Sequence, residues 1–396
     1  MNRTFLHILS LTFLSFVSAS QAAQCVTVVG TASMENVEQA FARQMAIRNA
    51  LETASMQNNL QVISRQDTEN FALKNQASRF VSRSKIQKFG IMSEYADLER
   101  KEYEVELDVC LTEDPSACKH IFGAHYQNRI VIAPVVIENP YEARDIANLL
   151  PGYQNELHRR LAERGYRNLD LIDYAQGVQP GNLVTPNLSP DVLQPIQDQT
   201  GAQFMLMTVI RSASSHSEGK GFGDTVRRFY DFEVDDNYRY VELDWYLVDL
   251  NKFQIAKQGR EGYEVKGEAR VGRDRPFGTA AFFKTHTGRT FNQILNQQVD
   301  KVFEHMRCEL LETQVIDVRN DEYVLFLSEE SGVQVGDQLA VYQQVGNPVR
   351  FQGRSLGMDQ TPSGFLKIKR IMPKFAVAEL IAQDGRVQIG DVVRSW

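Results

Sequence analysis

The sequence has no excess of positive charge and, after its first residues, no long apolar run. Its 43 Lys and Arg residues are outnumbered by 50 Asp and Glu residues, which gives a formal net charge of −7. Without a global positive field to hold phosphates, a nucleic-acid-binding role is disfavoured. No later stretch approaches the roughly 18 consecutive apolar residues that a membrane-spanning helix needs, so we expect a soluble exported chain.

The sequence also lacks the motifs that assemble catalytic or metal-binding groups. It has no H-x-x-x-H or paired C-x-x-C pattern for zinc, and no G-x-S-x-G nucleophile turn. The glycine-rich residues 219–223 lack Walker spacing, and the carboxylates within 231–236 follow no calcium-loop pattern. We therefore predict no catalytic residue, no metal and no cofactor. A hydrolase whose catalytic residues are scattered through the loops remains an alternative hypothesis.

The N-terminus has the pattern of a secretory signal peptide. Arg3 supplies a short positive region, Phe5–Val17 form an apolar stretch, and small residues follow, which favours cleavage after Ala22. A lipoprotein is disfavoured, because the bulky Gln24 precedes Cys25 where lipid attachment needs a small residue. The pattern predicts export to the periplasm without a lipid anchor.

Four cysteines remain after the signal peptide: Cys25, Cys110, Cys118 and Cys308. An even number in an exported chain predicts two disulfides. Strand alternation places Cys25 and Cys110 on the side opposite the apolar residues of their strands, which favours a Cys25 to Cys110 bond in antiparallel neighbours. Cys118 would then pair with Cys308. A local bond between Cys110 and Cys118 remains an alternative.

The first block, residues 24–118, predicts a small α/β sandwich. A short strand leads into a helix over Asn36–Ser55, and a less regular helical stretch over Thr68–Ser84 comes before two strands, Ile86–Glu94 and Lys101–Leu111. Alanines at every fourth position of the first helix would let its backbone approach a sheet closely. These alanines are Ala42, Ala46, Ala50 and Ala54.

The second block, residues 119–311, alternates strand and helix patterns and predicts an α/β sheet. Arg129–Ile137 are nearly continuously apolar, as in a buried central strand. Ser189 and Gly201 mark the start and stop of a helix that comes before a strong strand over Phe204–Ile210. An amphipathic helix closes the block.

A hairpin within this block offers the first candidate contact surface. We predict that Phe229–Val234 pairs with Tyr238–Leu250. Alternation then puts Tyr238, Tyr240 and Tyr246 on the side away from the core, where exposed tyrosines beside charged residues can contact a partner. Packing between neighbouring strands is the simpler explanation of the same three tyrosines.

A second candidate surface is the basic stretch from Arg260 to Arg275 in an otherwise acidic chain. Arg270, Arg273 and Arg275 are its most closely spaced cations. They are suited to an anionic partner such as a cell-wall polymer or the outer-membrane surface, although a mobile solvated loop would have the same composition.

The third block, residues 312–396, predicts a small, SH3-like β-barrel, because short strands alternate with Gly and Pro. Residues 332–337 (GVQVGD) are echoed by residues 386–391 (RVQIGD), each followed by alternating apolar residues. The Gly-Asp pair suits a turn in which Gly adopts a positive φ.

The order of these segments resembles the flagellar assembly protein T family over essentially the whole exported chain. The resemblance is carried by VVGTA at 28–32, the alanine-ridge helix at 42–54, RIVIAPVVI at 129–137, VQVGDQLAVY at 333–342 and VQIGDVV at 387–393. The overall fold class expected is multidomain α+β.

The resemblance implies a middle block like the amino-terminal domain of periplasmic TolB. It also implies a non-enzymatic periplasmic component of the flagellar basal body, which self-associates into the H ring around the outer L and P rings. Such a protein supports formation of the neighbouring T ring and retention of the stator units. The alternative is a periplasmic ligand- or protein-binding module of envelope integrity. The domains expected are a signal peptide at 1–23 and folded units at 24–118, 119–311 and 312–396.

Overall fold

The computed structural model describes most of the chain. The described residues are 24–69, 85–112, 126–173, 186–216, 238–267, 269–307, 309–351 and 354–395. The predicted signal peptide and the predicted partners Cys118 and Cys308 lie outside them. The predicted domain boundaries stay predictions.

The N-terminal part forms a three-stranded antiparallel sheet covered on one side by a helix. Its strand order is β1-β3-β2, so β3 is central. The predicted α/β arrangement is therefore present among these residues. The elements are β1 (Gln24–Ser33), α1 (Gln39–Glu69), β2 (Lys85–Asp97) and β3 (Glu102–Thr112).

Helix α1 packs closely on this sheet through the predicted alanine ridge. The four ridge alanines have no solvent exposure, and they contact the buried residues of β3. The helix begins three residues later than predicted, because Asn36 has a left-handed backbone with φ of 61°. Most of the predicted second helical stretch, residues 70–84, lies outside the described residues.

The middle part forms a mixed sheet of the order β10-β9-β7-β4-β6, with β5 beside β7 and β8 beside β9. Strands β4, β5, β6 and β7 run parallel to one another, whereas β9 runs antiparallel to β7, β8 and β10. The strands are β4 (Ile130–Ile132), β5 (Val136–Ile137), β6 (Leu169–Leu171), β7 (Phe204–Ser212), β8 (Ser215–His216), β9 (Tyr238–Asp249) and β10 (Gln254–Lys266). The helices are α2 (Leu149–Glu163), α3 (Pro190–Thr200), α4 (Ala280–Lys284) and α5 (His286–Met306).

Helices cover both faces of this sheet. Alternate residues of β9 such as Leu243 and Trp245 join a core with α2 and α5, while Tyr246 and Val248 join a second core with α3. The predicted continuous strand Arg129–Ile137 is instead divided into β4 and β5. The proline between them has no N–H for the ladder.

The predicted hairpin between Phe229–Val234 and Tyr238–Leu250 is wrong. Both sides of β9 are occupied, by β7 and β8 on one side and by β10 on the other. The turn into β10 is stabilised by Asp249, whose Oδ1 accepts hydrogen bonds from the N–H groups of Asn251 and Lys252, each at 3.0 Å. Residues 229–234 themselves lie outside the described residues.

The C-terminal part is a closed barrel of the order β11-β12-β15-β14-β13-β16, which confirms the predicted β-barrel. Its resemblance to SH3 barrels stays a prediction. The strands are β11 (Glu312–Arg319), β12 (Glu322–Leu325), β13 (Gln338–Phe351), β14 (Arg354–Ile371), β15 (Ala376–Gln383) and β16 (Val392–Arg394).

The two echoed Gly-Asp turns have the same geometry in the barrel. Gly336 and Gly390 have φ of 100° and 92°. The side chain of each following Asp accepts a hydrogen bond from the N–H three residues before it, at 2.7 Å for Asp337 and 2.8 Å for Asp391. Each glycine N–H donates to a carbonyl of a neighbouring strand at 2.8 Å. The sequence echo is therefore a repeated structural motif.

We expect Asp391→Ala to lower the free energy of unfolding of the barrel by about 1 kcal/mol, because the buried turn loses a side-chain hydrogen bond. Urea titration of the chain from residue 24 onward, followed by hydrogen exchange in β11 and β16, measures this loss. Asp384→Ala is the matched control, since Asp384 is exposed. An equal effect of both substitutions would contradict the assigned role of the turn.

Helix α1 also contacts the barrel, with the side that does not face its own sheet. The rings of Phe41 and Phe365 have centroids 5.7 Å apart. The Arg48 guanidinium lies 5.3 Å from the ring centroid of Tyr342. The N-terminal sheet is therefore attached to the barrel through α1, and its other face is left uncovered by the described helices.

Candidate contact surfaces

The Cys25 to Cys110 disulfide is present and joins directly opposed residues of β1 and β3. Both cysteines lie on the sheet face opposite α1, as the alternation predicted. Their sulfurs and Asp108 are the one cluster of potential metal ligands found among the described residues. Because the two sulfurs are bonded to each other, neither is a thiolate for a metal.

The three predicted tyrosines do not share an exposed surface. Tyr240 is 47% exposed and Tyr238 is half-buried, but Tyr246 is 3% exposed. The prediction for Tyr246 is wrong, because α3 and its connections cover the β9 face that alternation had left open. A contact role for Tyr238 and Tyr240 stays a prediction.

Tyr246 belongs to a polar network centred on the buried Asp244. Its hydroxyl donates to Asp244 Oδ2 at 3.2 Å and accepts from Arg211 at 3.3 Å. Arg211 Nε donates to the same Oδ2 at 2.8 Å. Arg260, predicted as part of the basic loop, lies on β10 and donates from Nε to Asp244 Oδ1 at 2.6 Å. Its charge is therefore neutralised within the fold.

These contacts set the pKa of Asp244. Burial raises the pKa of its carboxyl, but hydrogen bonds from Arg260 and Arg211 outweigh burial, so the net pKa lies below the ordinary 3.8. The folded state thus binds the proton less readily than the unfolded state.

We expect the stability difference between wild type and Asp244→Asn to be fully present above pH 3.8 and to close as the pH falls through the folded pKa. At lower pH the wild-type carboxyl is protonated and neutral, like the amide. Urea unfolding at several acidic pH values measures this difference. A difference that stays constant over that range would show that the charge of Asp244 is not stabilising.

The predicted arginine loop lies after β10 and is attached to residues 144–148. Arg270 and Arg273 are exposed, whereas Arg275 is half-buried, with its Nε 3.7 Å from Asp274. Arg273 Nε donates to the carbonyl of Arg144 at 3.4 Å. The loop is thus a defined segment against the middle sheet, and its binding role stays a prediction.

A fully buried arginine holds this loop in place. Arg239 Nη2 lies 2.5 Å from Asp145 Oδ2, which also accepts from the N–H of Val271 at 3.0 Å. The N–H of Phe277 donates to the carbonyl of Ala147 at 2.8 Å. This arrangement is not foreseeable from the sequence, because Arg239 and Asp145 are 94 residues apart.

The positive charge continues beyond the predicted loop into α4 and α5. Residues 269–289, which we call the basic segment, contain five Lys or Arg and a single Asp, for a net charge of +4. Lys284 and Arg289 are exposed. Thr287 Oγ1 donates to the carbonyl of Ala269 at 2.6 Å, which brings the start of α5 beside the loop. A charge count carried past Arg275 would have found this extension.

The outer face of the N-terminal sheet carries the opposite charge. Glu102, Glu104, Glu106 and Asp108 alternate along the central strand β3 and form what we call the acidic face. Among the described residues, no Lys or Arg lies within ion-pairing distance of these four carboxylates. The strand alternation that places Cys110 on the face opposite α1 also places these four carboxylates on that face.

The described residues define a mixed α+β fold with a helix-covered sheet, a three-layered α/β part and a closed barrel. Residues 320–395, almost the whole barrel, match the family model described as the flagellar assembly protein T C-terminal domain. For the barrel, this match confirms the predicted resemblance to the flagellar assembly protein T family.

Solved structures resemble parts of the chain. Hypothetical protein CT253 from Chlamydia trachomatis is 17% identical, with 46% of this chain and 98% of that chain covered at a TM-score of 0.31. PelC from Paraburkholderia phytofirmans is 9% identical, and the match covers 46% of this chain and 89% of that chain at a TM-score of 0.26. The LpoB C-terminal domain from Salmonella enterica is 12% identical, and the match covers 35% of this chain and 84% of that chain at a TM-score of 0.20.

No curated protein sequence matches the chain. Among the described helices, none combines the length and apolar character that crossing a bilayer requires. The resemblance of the middle part to TolB stays a prediction.

Proposed function

We propose that this chain is a non-enzymatic periplasmic assembly protein of the flagellar basal body. It forms the H ring around the L and P rings, supports formation of the T ring and helps retain the stator units. The family match of the barrel is the single observation that carries the proposal.

The fold is suited to such a scaffold. The disulfide constrains the N-terminal sheet, α1 joins that sheet to the barrel, and the buried Arg239 holds the basic segment against the middle sheet. Rigid parts that present several surfaces gain avidity when many copies surround one axis, because each further contact is intramolecular.

Electron microscopy of basal bodies from a deletion strain tests the proposal. We expect the outer collar and swimming to be lost, and both to return when the wild-type chain is restored. A matched control restores the chain without residues 1–23, which we expect to fail because that chain stays in the cytoplasm. Normal collars and swimming in the deletion strain would overturn the proposal. Recovery of Tol or peptidoglycan-associated proteins in pull-downs would favour the envelope-integrity alternative.

A further inference from the structure

We propose that the acidic face of one copy docks onto the basic segment of a second copy of this chain. The inference rests on the proposed function, and it specifies the two surfaces through which self-association occurs. It follows from a sheet face that none of the described helices covers and from an oppositely charged surface on the same molecule.

The acidic face has the properties of a docking surface. Thr27, Val29 and Thr31 on β1 are exposed beside the carboxylates of β3, and on the other side Tyr95 of β2 is 64% exposed. Tyr95 lies opposite Glu104 in the ladder. An exposed tyrosine next to unpaired charges is typical of an interface anchor, since it supplies apolar area with little entropy to lose.

The basic segment has complementary charge and a fixed shape. Lys284 and Arg289 make no ion pair or hydrogen bond through their side chains among the described residues. Near its start, the N–H of Val271 donates to Asp145, and its last residues form the first turn of α5. The backbone that carries its cations is therefore ordered. A preorganised surface loses less entropy on binding.

A second copy is the occupant that the charges favour. The chain as a whole carries −7, so copies repel one another unless a local basic surface faces a local acidic one. The basic segment is such a surface. Because the two docking surfaces differ, each copy uses both, and the contact repeats head to tail. Such a contact generates a closed ring when its rotation closes.

A charge swap tests this contact. Lys284→Glu with Arg289→Glu brings the net charge of the basic segment from +4 to zero, and Glu102→Lys with Glu104→Lys likewise cancels the net charge of the four carboxylates of the acidic face. All four side chains are exposed, so the fold does not depend on their charge. Sedimentation of the exported chain at low salt measures association.

We expect wild type to associate with increasing concentration, and each variant alone to associate roughly tenfold or more weakly. An equimolar mixture should regain association as a one-to-one complex, because the intact acidic face of one variant meets the intact basic segment of the other. Association should also weaken at about 1 M salt, where charges are screened beyond about 3 Å.

The matched control is Glu329→Lys with Glu330→Lys, which makes the same charge change as Glu102→Lys with Glu104→Lys, but at exposed barrel residues. It should associate like wild type. A monomeric wild type, a mixture that does not regain association, or a control as weak as the variants would overturn the inference. Binding of the basic segment to purified peptidoglycan in place of the acidic face would also overturn it.

The docking contact and the proposed function can fail independently of each other. If the charge swap restores association while the deletion strain keeps its collar, the docking contact stands and the basal-body role fails. If the deletion strain loses its collar while the purified chain stays monomeric, the role stands and the docking contact fails.

Discussion

Loss of the Cys25 to Cys110 disulfide is expected to destabilise the N-terminal sheet by about 4 kcal/mol. The bond closes a loop of 85 residues, and cross-linking such a loop removes entropy from the unfolded chain. The effect is concentrated in one sheet, because the bond joins its edge strand β1 to its central strand β3. Hydrogen exchange of β1 and β3 amides should therefore accelerate roughly a thousandfold, while exchange in the barrel changes little.

The cleanest measurement uses a background in which Cys118 and Cys308 are replaced by Ser. The same chain can then be compared oxidised and reduced, with no other cysteine to contribute. Equal exchange rates in the two states would contradict the stabilising role of the bond. The charge-swap experiment depends on this result, since the acidic face lies on the strand that the disulfide fixes.

Gly30→Val is expected to destabilise the same sheet by about 3 kcal/mol. A Cβ at this position would lie 2.1 Å from the carbonyl oxygen of Ala46 and 2.5 Å from the backbone N of Ala50. Overpacking usually costs about 1 to 3 kcal/mol, and the upper end applies here because the obstructing atoms are backbone and cannot rotate away. Thermal unfolding and hydrogen exchange of α1 measure the change.

Gly90→Val is the matched control within the same sheet. Its Cβ would meet nothing within 4 Å, so we expect a change of a few tenths of a kcal/mol. Comparable losses in the two variants would show that β-propensity, and not the approach of α1, determines the effect.

Gly30→Val and reduction of the disulfide should have different effects on hydrogen exchange in the barrel. Helix α1 contacts both the sheet and the barrel, so displacement of α1 by Gly30→Val should also increase exchange where Phe365 packs on Phe41. Reduction of the disulfide acts on the opposite face of the sheet, and we expect that packing to persist. Such a difference would show that α1 couples the two parts.

Much of the local structure was predictable because it is periodic. The four-residue spacing of the alanines predicted the buried ridge of α1, and the alternation in β3 predicted the side on which Cys110 lies. The repeated Gly-Asp pairs predicted two equivalent turns in the barrel. Helical and strand periodicities are properties of neighbouring residues, so they can be seen without knowing the rest of the fold.

The errors concerned the elements that cover a given face. The hairpin of β9 was assigned to the wrong partner, and Tyr246 was placed outside although α3 covers it. Alternation separates the two faces of a strand but does not show which face a distant helix covers. Arg260 likewise appeared to be a loop cation until Asp244, on the neighbouring strand, was seen to neutralise it.

The sequence by itself determined the alanine ridge of α1, the cysteine side of the N-terminal sheet and the barrel, whose family match followed. Only the tertiary structure decided that α1 joins that sheet to the barrel, that Arg239 fixes the basic segment, and that no Lys or Arg in the described part of the chain forms an ion pair with the acidic face. The physical reason is the separation of the interacting residues along the sequence. Periodicity involves residues close together in the sequence, whereas burial and charge neutralisation depend on residues that folding brings together from far along the chain.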